Sequence, residues 1–460
     1  MYKQAPEDRM TYMRRKLADE IHRWKDCGDA KPLLIRGARR IGKTFLIERI
    51  AHDLFDDNMV KLDFQTDLDT IEKIFDVPTS DTEAIVNRIQ EYTGKSCDPR
   101  STLLFFDEIQ LSDKALNSLR FFSGSPWRVI ATGSLLGVTV RKRRLPFPSG
   151  VLQLDMFPMD FEEFLWALDE QPLAESIRDH AANPRSFMLH DRALDWYHRY
   201  LVVGGMPKAV DAYRTTRSFA SVMQEQHEIN DTYVNDMTDP DNGISGISAK
   251  RIWDSLQKQL LRSSTKKFKY ADVIRGGRRE RLLEPLEWLE AAGIVNRNDM
   301  TKDSEAPLAP YSDEEGSFFK IYVADTGIMF SKFGIDAELL LRPDVAQILS
   351  SDFRGALAEN YAMQSLKAAG LHTFYWTPAG NGQGELDFVF QNRQAQVLPV
   401  EIKSARNVTA KSLRKFVEEG HSPRAYRLSE RDFGIDTVAG TDVPLVSLPL
   451  YAAFALDQEA

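Results

Sequence analysis

Cysteine is almost absent from this chain: its 460 residues hold two, Cys27 and Cys97. Two scattered thiols supply neither a disulfide framework nor a zinc site, and they fit a reducing compartment. Long apolar runs are missing as well. No stretch approaches the roughly 18 apolar residues that a spanning helix needs. The opening Met-Tyr-Lys-Gln-Ala-Pro-Glu-Asp has no apolar signal core. The expectation is a cytoplasmic protein with no lipid anchor. Excess positive charge is also lacking: 59 Lys and Arg stand against 68 Asp and Glu, for a net charge of −9. That excludes a chain that coats nucleic acid through its overall charge, while a local basic groove stays open. No internal repeat or low-complexity segment is found.

What is present is an ordinary globular balance, 43% apolar and 28% charged residues. Single hydrophobic cores stop growing near about 250–300 residues, so two to four domains are expected. An amphipathic helix is predicted over 10–26. Apolar strand-like runs follow at 33–35, 60–64, 102–106, 127–131 and 151–156, separated by helical stretches at 41–54, 82–92 and 112–121. Strands alternating with helices predict a parallel sheet covered on both faces. The alternation ends near 157, which bounds a first domain, 1–157.

Between the first two elements lies Gly37-Ala38-Arg39-Arg40-Ile41-Gly42-Lys43-Thr44, a full match to G-x-x-x-x-G-K-[ST]. The glycines let the backbone curl so that its N–H groups face phosphate oxygens, and the next helix points its positive end at the same place. Lys43 would contact the β- and γ-phosphates of ATP, and the Thr44 hydroxyl would ligate Mg²⁺. The apolar run Leu103–Phe106 ends in Asp107, suited to hold the Mg²⁺, and Glu108, suited to polarise the attacking water. Another strand, Val129-Ile130-Ala131-Thr132-Gly133-Ser134, ends in hydroxyls, so Ser134 or Thr132 would sense the γ-phosphate. In the basic run Arg141-Lys142-Arg143-Arg144, one arginine could act in trans on a neighbouring subunit's ATP.

From 158 to 240 the pattern is helical, with starts at Phe161 and Arg192 and a third helix over 217–237; this stretch is expected as a lid. Three helices (249–261, 269–275, 279–292) and two paired strands outline a winged helix over 241–340. Arg275, Arg278, Arg279 and Arg281 cluster where a recognition helix would meet DNA, with Lys266, Lys267 and Lys269 just before. The last stretch, 341–460, is a small α/β unit: a helix at 354–369, strands at 372–376, 385–390 and 397–402, and a helix at 409–419. On its alternating strands Glu385 and Asp387 share one face, and Glu401 and Lys403 share another. Glu359, on the helix before, could add a carboxylate. Acidic groups converging on a metal beside a scissile phosphate, with a lysine to orient water, are what a nuclease needs.

The stretches GARRIGKTFLIERIA, VKLDFQTD, LLFFDEIQ, ATGSLL and FPMDFEEFL resemble a large bacterial and archaeal group of AAA+-like P-loop ATPases. YLVVGGMPKAV, LEWLEAAGIV, KIYVADTGIMF, GALAENY, GELDFVF and PVEIKS extend the resemblance in order along nearly the whole chain. It implies an N-terminal ATPase domain and a C-terminal region, 341–460, related to PD-(D/E)xK nucleases; Glu359, Asp387, Glu401 and Lys403 match that pattern position by position. It also implies a ring or spiral oligomer, expected to be a hexamer. Many relatives carry a basic residue right after the glycine that matches Gly150; here it is Val151, so another arginine, Arg143 or Arg144, would serve.

The resulting expectation is an α/β protein that binds ATP and Mg²⁺, hydrolyses the nucleotide and acts on DNA. Two alternatives stand beside it. One is a signalling or defence NTPase with an inactive nuclease-like domain. The other is a nuclease gated by ATP.

Overall fold

The computed structural model describes residues 13–27, 31–134, 149–240, 244–262, 266–275, 277–313, 316–342, 349–378, 384–403 and 411–456. The expected trans-acting Arg143 and Arg144 therefore lie outside the described residues. The chain divides into two compact units, the first being 1–157 with 240–243 and 291–293, the second the remainder.

In the first unit, five described strands form one sheet: β1 (Leu33–Arg36), β2 (Met59–Asp63), β3 (Leu103–Asp107), β4 (Arg128–Gly133) and β5 (Leu152–Asp155). Their order is β2-β3-β4-β1-β5 and every pairing is parallel. β3 is buried along its whole length, as a central parallel strand with helices on both faces must be. Phe106 packs edge-on against Phe75 and Phe122, with ring centroids 5.8 and 6.1 Å apart. Deleting that ring is expected to cost about 3–5 kcal/mol in a urea unfolding measurement. Because β4 lies between β1 and β3, the ends of three adjacent strands bring 36–37, 107–108 and 132–134 to one edge of the sheet.

The second unit begins with helices. Phe161–Ala167 starts on a capping box: the Asp160 carboxylate accepts the Glu163 N–H at 2.9 Å, and Glu163 accepts the Asp160 N–H at 3.2 Å. Helices Gln171–Ala182 and Pro207–Thr216 were not anticipated from periodicity; they flank the expected one, which spans His190–Val203.

The strands of this unit are β6 (Val295–Thr301), the short ribbon β7 (Ser312–Asp313) with β8 (Gly316–Ser317), β9 (Phe319–Val323), β10 (Thr373–Trp376), β11 (Leu386–Gln391), β12 (Val397–Ile402), β13 (Ala425–Ser429), β14 (Gly434–Thr437) and β15 (Pro444–Pro449). All but the ribbon join one mixed sheet in the order β14-β15-β13-β12-β11-β10-β6-β9. The boundary expected at 340/341 runs through this sheet. The strand pair expected as a wing, β6 with β9, is hydrogen-bonded onto β10, with Phe374 opposite Asp299. The three helices expected before it span Gly246–Leu260, Tyr270–Val273 and Arg279–Ala291. Among the described residues, no helix is long and apolar enough to cross a membrane.

Candidate functional site

The loop between β1 and the helix Lys43–Phe55 is shaped by its glycines. Gly37 has φ +150°, and a Cβ there would meet the Met156 carbonyl oxygen at 2.3 Å. Gly42 has φ +89° and caps the helix. The first position excludes a side chain by contact, and the second would strain one by its backbone conformation. Lys43 is buried and donates to the carbonyls of Gly37 at 2.9 Å and Ala38 at 2.8 Å. Burial lowers its ammonium to a pKa of about 8, although Glu108 and Asp107 pull the other way. Ala38 and Ile41 are buried and Arg40 adopts φ +67°. Arg15, ahead of the first helix, braces the loop by donating to Ile41 O at 3.0 Å and to Phe157 O at 2.6 Å.

The acids at the end of β3 meet this loop. The Thr44 hydroxyl donates to Asp107 Oδ2 at 2.9 Å, and the Thr132 hydroxyl donates to Asp107 Oδ1. Lys61, from β2, places Nζ 3.2 Å from Asp107 Oδ2 and 3.4 Å from Glu48. Burial would lower the Lys61 pKa, but the Asp107 carboxylate outweighs that and raises it. Glu108 sits in the left-handed region at φ +56°, a conformation that costs a non-glycine residue of order 1–3 kcal/mol. Its Oε2 accepts from Ser134 Oγ at 2.7 Å and from Gln110 Nε2 at 2.6 Å. Thus the two hydroxyls weighed as sensors divide between the two acids, Thr132 on Asp107 and Ser134 on Glu108.

A second polar cluster is buried in the C-terminal sheet. Glu359 Oε1 accepts from Lys266, and Oε2 accepts from the Tyr322 hydroxyl at 3.3 Å. Lys320 is 1% exposed; its Nζ lies 2.7 Å from Glu385 and 3.9 Å from Glu359. The Ile402 N–H donates to Asp387 Oδ2 at 2.9 Å. Lys403 pairs with Glu401 Oε1 at 2.8 Å. Burial, then the charge of Glu359, pushes the Asp387 carboxyl up to about 7. Burial alone would raise Glu359 too, but Lys266 and Lys320 hold it below the usual carboxylate range. The expected Glu359, Asp387, Glu401 and Lys403 thus share one region, and Lys320, Lys266 and Tyr322 share it with them.

On the helix Arg279–Ala291 and just before it, Arg275, Arg278, Arg279 and Arg281 are all exposed. Lys269 is exposed beside them, whereas Lys266 is spent on Glu359.

Sequence reasoning missed Arg15, Lys61 and Lys320. The alternation Val60-Lys61-Leu62-Asp63 did carry a signal for Lys61, since it puts Lys61 and Asp63 on one face of β2. Lys320 stands alone in an apolar run and gave none.

Residues 29–165 match the family described as "AAA domain". Two further families match, each described as a "Domain of unknown function": DUF8612 over 194–339 and DUF4143 over 354–447. A search of the curated proteins finds no match. Among solved structures, Cdc6p from Pyrobaculum aerophilum is 11% identical with TM-score 0.27, covering 73% of this chain and 97% of its own. The S. cerevisiae Hsp104–ADP complex is 16% identical with TM-score 0.28, covering 77% of this chain and 44% of its own. Both structural likenesses are distant. The stretch that matches the AAA domain is the one that carries the loop and the two acids, and it is built on a parallel sheet.

Proposed function

We propose that the chain is a Mg²⁺-dependent ATPase that acts on DNA. The observation that carries the ATPase reading is the contact of Thr44 with Asp107 at 2.9 Å, which joins the phosphate loop to the acid strand. A hydroxyl and a carboxylate side by side are hard oxygen donors. Mg²⁺ takes only one or two such protein ligands beside substrate phosphates, so the donor set fits. When bound, the ion neutralises charge on the β- and γ-phosphate oxygens.

The chain's own residues supply the rest. Lys43 exchanges the Gly37 and Ala38 carbonyls for phosphate oxygens. The backbone N–H groups of Gly37–Thr44 and the start of the following helix hold the triphosphate. Glu108, held by Ser134 and Gln110, accepts the proton of the attacking water. An arginine from 141–144 of a neighbouring subunit would complete the site in a ring or spiral, expected to be a hexamer. Light scattering with and without ATP tests that assembly.

For DNA, the support is the set of exposed arginines at 275, 278, 279 and 281 in an otherwise acidic chain. On this reading the helices and strand pair of 246–323 would act as a winged helix, and the C-terminal sheet would be a nuclease-related module. ATP turnover and DNA affinity are to be measured with duplex, single-stranded and four-way DNA over a salt series. Affinity that falls steeply with salt supports this reading. Absence of binding to every form at low salt removes DNA and leaves the nucleotide-switched signalling reading.

A further inference from the structure

The resemblance to metal-dependent nucleases calls for a divalent ion among Glu359, Asp387 and Glu401, and the residues around them do not suit one. Each of the three has a partner within the protein, and of their oxygens the buried Glu401 Oε2 is left without one. Glu359 is held by Lys266 and Tyr322, Asp387 by the Ile402 N–H, and Glu401 by Lys403. Among the described residues, no three acids, histidines or cysteines are grouped so as to hold a metal ion.

The lysine that decides the matter is Lys320. Its side chain is 1% exposed, and β9, which bears it, is buried throughout. Its Nζ stands between Glu385 and Glu359, at 2.7 and 3.9 Å, and feels Asp387 as well. Burial would strip the proton from an isolated lysine; these three carboxyls outweigh burial and keep the ammonium charged. A divalent ion must sit about 2.0–2.6 Å from its oxygens. Here it would share that space with a buried positive charge.

We propose that Lys320 and Lys266 are built-in counter-ions that replace the divalent metal of this carboxylate cluster, so that the C-terminal sheet is a module without metal-dependent cleavage. Four carboxyls (359, 385, 387 and 401) share the cluster with three ammonium groups (266, 320 and 403), which supply within the protein the positive charge that a divalent ion would bring.

The test is a Mn²⁺ titration of the full chain without nucleotide, followed by the paramagnetic signal of the free ion, so its outcome is separate from that of the ATPase reading. Wild type should show no site tighter than about 1 mM. Lys320→Met should bind one Mn²⁺ per chain at least about tenfold more tightly, and its melting temperature should then rise with Mn²⁺. If Lys320→Met does not fold, Lys266→Met, at the cluster's rim, is expected to give the same gain. The proposal is overturned if wild type binds one Mn²⁺ that Asp387→Asn loses and Asp107→Asn keeps. It is also overturned if wild type nicks DNA with Mg²⁺ or Mn²⁺ and Asp387→Asn does not. Folded lysine variants that gain no Mn²⁺ site would sink it equally.

Discussion

Lys61 places its ammonium 3.2 Å from the Asp107 oxygen that accepts the Thr44 hydroxyl. It therefore stands near the oxygens that would ligate Mg²⁺, but unlike Lys320 it is half-buried, and it can turn to Glu48, 3.4 Å away. The account predicts that Lys61→Met lowers the Mg²⁺ concentration for half-maximal ATP turnover. A partly exposed ion pair contributes about 0.2–1 kcal/mol, so the shift should be about two- to five-fold at most. A rise in that concentration would mean Lys61 helps the ion and does not compete with it.

Glu108 is held by Ser134 and Gln110 while its backbone stays left-handed. Glu108→Gln keeps shape and backbone but removes the base. ATP should bind as before while kcat falls about 10²–10⁴-fold. Pre-steady-state and equilibrium binding measurements separate the two; a matching loss of affinity would show a binding role instead.

The lowered pKa of Lys43 gives a pH dependence with a definite sign. The ammonium is charged below about 8, and phosphate oxygens bind the charged form. ATP affinity should thus hold near pH 7 and weaken above 8, by no more than about tenfold per unit. Constant affinity up to pH 9.5, by titration calorimetry, would contradict this.

Replacing Arg275, Arg278, Arg279 and Arg281 with alanine should weaken DNA binding without changing nucleotide affinity. If each meets a phosphate, the slope of log affinity against log salt should shrink by about 0.9 per lost contact. An unchanged slope would place the DNA surface elsewhere.

The phosphate site was legible because its chemistry is local in the chain. The loop Gly37–Thr44 needs its glycines within eight residues, and the acids end an apolar strand. The pairing of Thr132 with Asp107 and Ser134 with Glu108 was not legible, because it depends on β4 lying between β1 and β3. In the C-terminal region the acids were legible from alternation on β11 and β12. Their counter-ions were not: Lys320 comes from β9, three strands from β11 across the sheet, and Lys266 from 93 residues before Glu359. The boundary at 340/341 failed for a similar reason. Parallel pairing of β6 with β10 joins distant segments and leaves no local mark.

The central claim is that Gly37–Thr44 and Asp107 form one nucleotide site, and Lys43→Ala tests it most directly. ATP binding by calorimetry and phosphate release should both fall to background, with the far-UV spectrum and melting temperature close to wild type. Hydrolysis at the wild-type rate by a folded Lys43→Ala protein would contradict the account.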